Sequence, residues 1–169
     1  ARDGAHKQLS LVNALQSFWY HSGLLQLGYE ATRAAAGREP TCEGGRADAL
    51  MTAANLALAI DRLSDGCAHL EEALSIARQL SDNRRTEKIK RLQAYAIGEA
   101  GDYESASRLM AAGLSFARVE GDEVVLGSAL NSMAELHRGM GDAAAAKPLY
   151  EEALALARKQ GNIRSIGVI

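Results

Sequence analysis

Histidines and cysteines, the side chains best suited to metal binding, are scattered along this sequence. No histidine stands at metal-ligand spacing from a cysteine or from another histidine. Two cysteines, Cys42 and Cys67, are too few for a zinc site or a disulfide framework, so we expect free thiols. We predict no metal and no cofactor at the four histidines, His6, His21, His69 and His137, and we favour packing roles over functional ones for His69 and His137.

Paired carboxylates, which can perform acid–base catalysis, occur twice, as Glu71-Glu72 and Glu151-Glu152. Neighbouring residues on a helix point about 100° apart, so neither pair converges on one substrate and both suit a solvated face. The segment GREPTCEGG, residues 37–45, lacks the Gly-Lys-Ser/Thr ending of a phosphate-binding loop and follows a predicted helix instead of a strand. The sequence therefore predicts a non-enzymatic protein with no catalytic residues.

Two clusters suit binding better than catalysis. The run Phe18, Trp19 and Tyr20 is typical of a plug that seals a helical hairpin, or of a platform for a ligand. A basic cluster indicates either a solvated helix or a docking site for an acidic peptide, a phosphate or a partner domain. The net charge of −2 attracts neither nucleic acid nor anionic membrane, and we expect contact with neither. The basic cluster comprises Arg84, Arg85, Lys88, Lys90 and Arg91.

One helical segment recurs three times at a fixed interval. Residues 150–162 read YEEALALARKQGN, residues 110–122 read MAAGLSFARVEGD, and residues 70–82 read LEEALSIARQLSD. Successive copies are 40 residues apart, which indicates a repeated structural unit. A second amphipathic stretch precedes each copy, and Gly141-Asp142 is suited to end one helix and cap the next.

Each unit therefore reads as an antiparallel pair of helices. Such a hairpin cannot bury both of its apolar faces alone, so neighbouring hairpins must stack. The Ala- and Leu-rich composition favours helix, and we predict an all-α protein that forms one continuous array. Its parts are an N-terminal helical hairpin at 1–37, a loop at 38–45, repeats at 46–82, 83–122 and 123–162, and the start of a truncated next helix at 163–169.

Small residues such as Ala134, the Gly-Asp turn and the stretch PLYEEALALA resemble tetratricopeptide (TPR) repeats. The usual unit has 34 residues, and the longer form here is similar to repeats of bacterial multidomain regulators and kinesin light chains. The resemblance implies a TPR-like right-handed α-solenoid of antiparallel helix hairpins with a 40-residue period. Asp61 replaces the turn glycine in the first regular repeat, which we expect to weaken that turn without changing the architecture.

The stretch SFWYHSGLLQLGYEATRAA, Ser17 to Ala36, resembles the first hairpin after the ATPase module of bacterial signal-transducing ATPase-type (LuxR/winged-helix) transcription regulators. This resemblance implies a cytoplasmic sensor or scaffold segment in signal transduction and transcriptional regulation, with the ATPase and DNA-binding domains outside these residues. We accordingly expect the chain to be a piece of a longer polypeptide. The alternatives are a stand-alone adaptor that binds a peptide and, less favoured, a small-molecule-binding or enzymatic domain near Trp19 and His21.

TPR proteins bind partners on a concave surface lined by the first helix of each pair. The resemblance therefore implies a protein or peptide partner there, or other domains of the same polypeptide. We also expect homo-oligomers through exposed solenoid ends. The matching positions do not reproduce the full basic clamp with which some repeats bind a C-terminal carboxylate. The candidate groove residues are Met51, Asn55, Lys88, Arg91, Tyr95, Asn131, Glu135 and Arg138.

Overall fold

The computed structural model describes residues 2–38 and 43–161. These residues form two compact units, and the boundary between the units lies between Ala96 and Ile97. Four sequence predictions lie outside the described residues: the thiol of Cys42, the centre of the loop at 39–42, the end of the last repeat at Asn162 and the helix start at 163–169. The side chain of His6 is also not described.

All regular secondary structure in the described ranges is α-helical. Helices that begin regular repeats start at Glu43, Asn83 and Glu123, and their partners start at Leu63, Tyr103 and Ala143. The helices are α1 Arg2–Ala14, α2 Gln16–Ser22, α3 Leu25–Arg38, α4 Glu43–Ala59, α5 Leu63–Gln79, α6 Asn83–Glu99, α7 Tyr103–Glu120, α8 Glu123–Gly139 and α9 Ala143–Lys159.

The turns between the regular helices repeat one backbone conformation. A residue in the left-handed region ends each helix from α4 to α9, where it allows the chain to reverse direction. Four of these residues are glycines, and two are Asp61 and Ser81, with φ of 59° and 54°. Asp61 therefore adopts the conformation predicted for a turn glycine, at a steric cost that glycine does not have. The glycines are Gly101, Gly121, Gly141 and Gly161.

Aspartates cap the helices from α6 to α9, whereas α5, which follows Asp61, has no side-chain cap. The carboxylate of Asp122 accepts hydrogen bonds from the amides of Val124 and Val125 at 2.9 and 3.1 Å. The carboxylate of Asp142 accepts one from the amide of Ala145 at 3.0 Å. Each bond satisfies an amide that has no partner inside its own helix. The capping role predicted for Asp142 is thus confirmed.

Small side chains let the helices of each pair approach closely. Helix α4 packs on α5 within the first unit, and α8 packs on α9 within the second. Ala54, Ala94 and Ala134, which align at the repeat interval, are each completely buried. An alanine at these positions places two helix axes near each other because no longer side chain separates them.

The N-terminal segment contains three helices, where the sequence predicted a simple hairpin. Helices α1 and α2 are separated by Leu15 alone, and Gly23, at φ 70°, turns the chain into α3. Helix α4 begins at Glu43, inside the predicted loop at 38–45. A negative charge in the first turn favours a helix start because of the helix dipole. Arg46 donates a hydrogen bond to the carbonyl of Ala36 at 3.1 Å, and this bond joins α4 to the end of α3.

Two further observations concern the helices. Pro148 lies inside helix α9, which runs unbroken from Ala143 to Lys159. As the sixth residue of this helix, proline cannot donate the backbone hydrogen bond that another residue would make to the carbonyl of Ala144, so the helix forms with one bond fewer. Across the described parts of the chain, no helix combines the length and apolar character that a membrane crossing needs.

Candidate protein-binding face

Helices α2, α4 and α6 contribute to one surface of the first unit. The hydroxyl of Tyr20 in α2 donates a hydrogen bond to the carbonyl of Asn55 in α4 at 3.0 Å. Burial raises the pKa of Tyr20, and the neighbouring phenol of Tyr95 in α6 raises that pKa further. At the other end of the two longer helices, the guanidinium of Arg85 bonds to the carboxylate of Asp48 at 3.0 Å. We call this surface, defined by Tyr20, Asn55, Lys88, Arg91 and Tyr95, the tyrosine face.

The structure separates the predicted groove residues of the first unit by exposure. Tyr95 is 45% exposed, and Lys88 is exposed as well. Asn55 and Arg91 are half-buried. Met51 is only 3% exposed and belongs to the core of the unit. Its side chain therefore serves packing, although it occupies the same helical register as Arg91.

Tyr20 joins the face without having been a groove candidate in the sequence. The aromatic run suits a plug or a ligand platform, and Trp19 acts as a plug: it is 9% exposed and packs with Tyr29 and Leu56. Phe18 and Tyr20 are 51% and 43% exposed. One helical turn therefore divides the run into a buried ring and two accessible rings.

The basic cluster of α6 is largely paired. Arg85 bonds to Asp48 and to the capping carboxylate of Asp82, and these bonds raise the pKa of Arg85. Lys90 pairs with Glu87 at 2.6 Å. Such pairs on a partly exposed helix stabilise it only modestly. Most of the cluster therefore serves the helix itself.

Arg91 differs from the other arginines of this cluster. Its side chain makes no hydrogen bond or ion pair with any described residue. Burial lowers the pKa of Arg91, with no neighbouring carboxylate to oppose this effect. An enclosed guanidinium without an anion loses hydration that nothing replaces.

The second unit brings Glu135 and Arg138 together, as their spacing on one helix suggests. The guanidinium of Arg138 donates to the Glu135 carboxylate at 2.6 Å. The hydroxyl of Tyr150 in α9 donates to the other oxygen of Glu135. Burial opposes ionisation, but these two hydrogen bonds outweigh it and lower the pKa of Glu135. Asn131, one turn earlier, has a buried Oδ1 atom with no hydrogen-bond partner among the described residues.

A cavity of about 360 Å³ lies along α9 in the second unit. Its lining combines alanine and leucine side chains with charged ones and a tyrosine. It adjoins the Glu135 network through Arg138 and Tyr150, but it is open and holds no converging acid–base pair. The lining residues are Arg138, Ala143, Ala146, Lys147, Tyr150, Glu151 and Leu154.

The remaining chemically capable residues have structural contacts. His21 Nδ1 lies 2.6 Å from the carbonyl of Ser17, and His69 Nε2 lies 3.4 Å from the hydroxyl of Tyr29. His137 Nδ1 lies 3.7 Å from the Asp142 carboxylate. Burial is the largest influence on His69 and lowers its pKa. Within the described ranges, no three metal-ligating side chains converge.

No family model matches the chain, and no curated protein sequence matches it significantly. Solved structures do. A Rap protein complexed with competence and sporulation factor aligns with a TM-score of 0.79 and 15% identity over 94% of this chain. Aspartyl phosphate phosphatase F from Bacillus subtilis aligns with a TM-score of 0.72 and 13% identity over 98% of it. A kinesin light chain protein from Podosopora anserina with nearly identical TPR-like repeats gives 0.65 and 15% over 91%.

These likenesses decide the architecture. The chain has a TPR-like, all-α helical repeat fold. It covers 45% of the Rap protein, 43% of the phosphatase and 76% of the kinesin light chain protein. At these identities the similarity concerns the fold alone, so function must be argued from the side chains of this chain.

Proposed function

We propose that this chain is a non-enzymatic regulatory module that binds a protein or peptide on the tyrosine face. The observation that carries the proposal is the convergence of Tyr20, Asn55 and Tyr95 from three separate helices. Both tyrosine rings are more than two-fifths exposed. Tyrosine is enriched at the centres of protein interfaces because its ring buries a large area while its hydroxyl keeps a hydrogen bond.

Two further observations favour a protein or peptide partner over a small substrate. The face extends along α4 and α6, and extended surfaces of this kind suit a peptide or a partner helix. A Rap protein of the same fold is known in complex with competence and sporulation factor. The Rap complex supports binding of a protein or peptide as the type of function. The choice of the tyrosine face rests on the residues of this chain alone.

The test is capture of partners from a bacterial lysate with matched tyrosine variants. Tyr95→Ala removes a ring from the face, whereas Tyr103→Ala removes one of similar exposure, 38%, at the start of α7. We expect quantitative mass spectrometry to find a protein that is retained by wild type and Tyr103→Ala but lost from Tyr95→Ala. Equal retention by both folded variants would refute the assignment of the face.

We further propose that this module is the cytoplasmic sensor or scaffold segment of a bacterial transcription regulator with ATPase and DNA-binding domains. The support is the resemblance of Ser17 to Ala36, together with the aromatic cluster and the Gly23 turn that the structure has there. Sequencing the gene upstream of the codon for Ala1 tests it. A phosphate-binding loop or winged helix is the expected result, and a short reading frame favours a stand-alone adaptor instead.

The small-molecule or enzymatic alternative has less support. This alternative depended on Trp19 and His21. The ring of Trp19, however, packs so closely against Gly28 that no methyl group would fit between them. The ring nitrogen Nδ1 of His21 is engaged by its own helix at Ser17. The two side chains therefore contribute to packing and to helix structure. Association of copies through the ends of the array likewise has less support. Helix α9 and its cavity offer the surface on which to test it.

A further inference from the structure

Arg91 carries hydrogen-bond donors for which the described residues supply no acceptor. Arginine is seldom enclosed without an acceptor, because its five N–H donors lose water on burial. The paired arginines of the same unit show the usual solution: Arg85 bonds to two carboxylates and Arg62 to Asp65 at 2.7 Å. Arg91 is half-buried and has no such bond with the described residues.

The surroundings of Arg91 suit a ligand. Lys88 lies three residues before it and Tyr95 four residues after it, so all three side chains lie on the same side of α6. Lys88 also has no ion pair with the described residues. The carboxylate of Asp48 in α4 is occupied by Arg85. The middle of the tyrosine face therefore carries a local positive charge on a chain whose net charge is −2.

We propose that Arg91 binds a carboxylate of the peptide ligand, with Lys88 as a secondary cation and the rings of Tyr20 and Tyr95 flanking the peptide. The proposal rests on the protein-binding function proposed above and specifies its ligand as an acidic peptide segment. A planar guanidinium matches a carboxylate with two parallel N–H···O bonds, which fixes orientation as well as charge. The carboxylate is either an Asp or Glu side chain or the peptide's C-terminus.

A ligand would explain the unpaired arginine, because it would supply the hydrogen-bond acceptors that the guanidinium lacks. In the free protein the guanidinium has lost hydration without compensation, and in the complex the ligand carboxylate supplies the missing acceptors. Replacing Arg91 by methionine, which is similar in length and uncharged, should therefore leave thermal stability unchanged or raise it. The same substitution at Arg85 should lower stability, because it leaves the Asp48 and Asp82 carboxylates without their partner.

The probe is a positional-scanning library of short fluorescein-labelled peptides, each pool synthesised both with a free C-terminus and as the amide. Fluorescence polarisation measures binding to wild type, Arg91→Met, Arg91→Lys and Arg118→Met. Arg118 is a matched control, because it is an exposed arginine of α7 that pairs with Glu152 at 3.4 Å. We expect wild type and Arg118→Met to prefer pools with Asp or Glu, or the free acids.

Arg91→Met should weaken binding of the preferred pools by at least roughly thirty-fold, the lower end of the loss from truncating one partner of an enclosed, hydrogen-bonded charge pair. Arg91→Lys should restore part of this loss, because it keeps the charge but not the planar fork. The free-acid and amide pools show which carboxylate is bound.

Three results would overturn the inference. The first is peptide binding that shows no preference for acidic pools, or a preference that Arg91→Met retains. Either form would show that Arg91 does not bind the carboxylate, although the face would still bind peptides. Absence of binding by every pool to wild type would refute the proposed function as well. A marked fall in the melting temperature of Arg91→Met would show that the side chain is structural.

Discussion

Gly28 occupies a position where a single methyl group should destabilise the protein. The glycine lies inside helix α3, directly against the ring of Trp19. A Cβ atom built on Gly28 would lie 2.5 Å from Trp19 Cγ and 2.9 Å from Trp19 Cβ. Trp19 has little freedom to move away, because its carbonyl accepts a hydrogen bond from Leu24 at 3.1 Å and its ring is packed in the core.

Two opposing effects set the magnitude for Gly28→Ala. Alanine favours helix over glycine by about 1 kcal/mol in a helix interior. Overpacking a filled site costs about 1–3 kcal/mol, and a contact as short as 2.5 Å places this site near the upper end. We therefore expect a net loss of about 2 kcal/mol in the free energy of unfolding, which corresponds to about 4–8 °C in melting temperature for a chain of this length.

The control is Gly127→Ala in helix α8. A Cβ atom there would be 3.8 Å from Leu156 Cβ, which is an ordinary van der Waals contact. The helix preference should then act alone and raise stability by about 1 kcal/mol. Urea denaturation followed by circular dichroism measures both variants, and the fluorescence of Trp19, the single tryptophan, reports the displacement of the ring.

A double-mutant cycle isolates the clash. Trp19→Ala removes the ring and should cost about 3–5 kcal/mol by itself. In that background Gly28→Ala should become stabilising, as at Gly127. The reasoning is refuted if Gly28→Ala stabilises the wild-type protein, or if its cost persists when the ring of Trp19 is absent.

The remaining predictions concern a turn, a cap and a half-buried histidine. Ser81→Gly should raise the free energy of unfolding by about 0.5–1 kcal/mol, because it relieves a left-handed φ of 54°; a loss in thermal denaturation would contradict this. Asp122→Ala should cost about 1 kcal/mol, and Asp122→Asn less, because the amide oxygen still caps α8; equal losses would exclude capping as the cause. His69→Gln should flatten the stability profile in acid. The pKa of His69 is lowered on folding despite Asp65 and Glu72, with Arg33 and Arg62 assisting burial. The unfolded chain therefore binds more protons, and wild-type stability should fall as the pH drops below about 6.5 towards the folded pKa. An unchanged acid slope in urea titrations of the variant would show that other groups cause it.

The positions of helices and turns could be predicted from the sequence because the patterns that set them are local. The apolar spacing around Leu74, Leu114 and Leu154 and the Gly-Asp turns depend on residues only a few positions apart. The division of the N-terminal segment into three helices could not be predicted in the same way. Its break at Leu15 lies between helices whose backbone bonds almost continue, since Trp19 donates to the Leu15 carbonyl at 3.0 Å.

The candidate face was predicted only in outline. Met51 and Arg91 occupy equivalent positions of successive repeats, so the repeat alignment predicts the same role for both. In the structure, Met51 lies in the core, whereas Arg91 is an unpaired cation. Their environments differ because each depends on which distant segment covers it. Tyr20 entered the face for the same reason, since its bond to Asn55 joins residues 35 positions apart.

The sequence by itself determined that the chain forms paired helices, where most of them turn, and which small residues lie between them. Periodicity and capping act within one or two helical turns, so they can be read without knowing the fold. Only the tertiary structure decided which charges are neutralised, which aromatic ring is buried and why Gly28 has no side chain. Those outcomes depend on close packing between segments far apart in the chain, where a single methyl group or carboxylate changes the result.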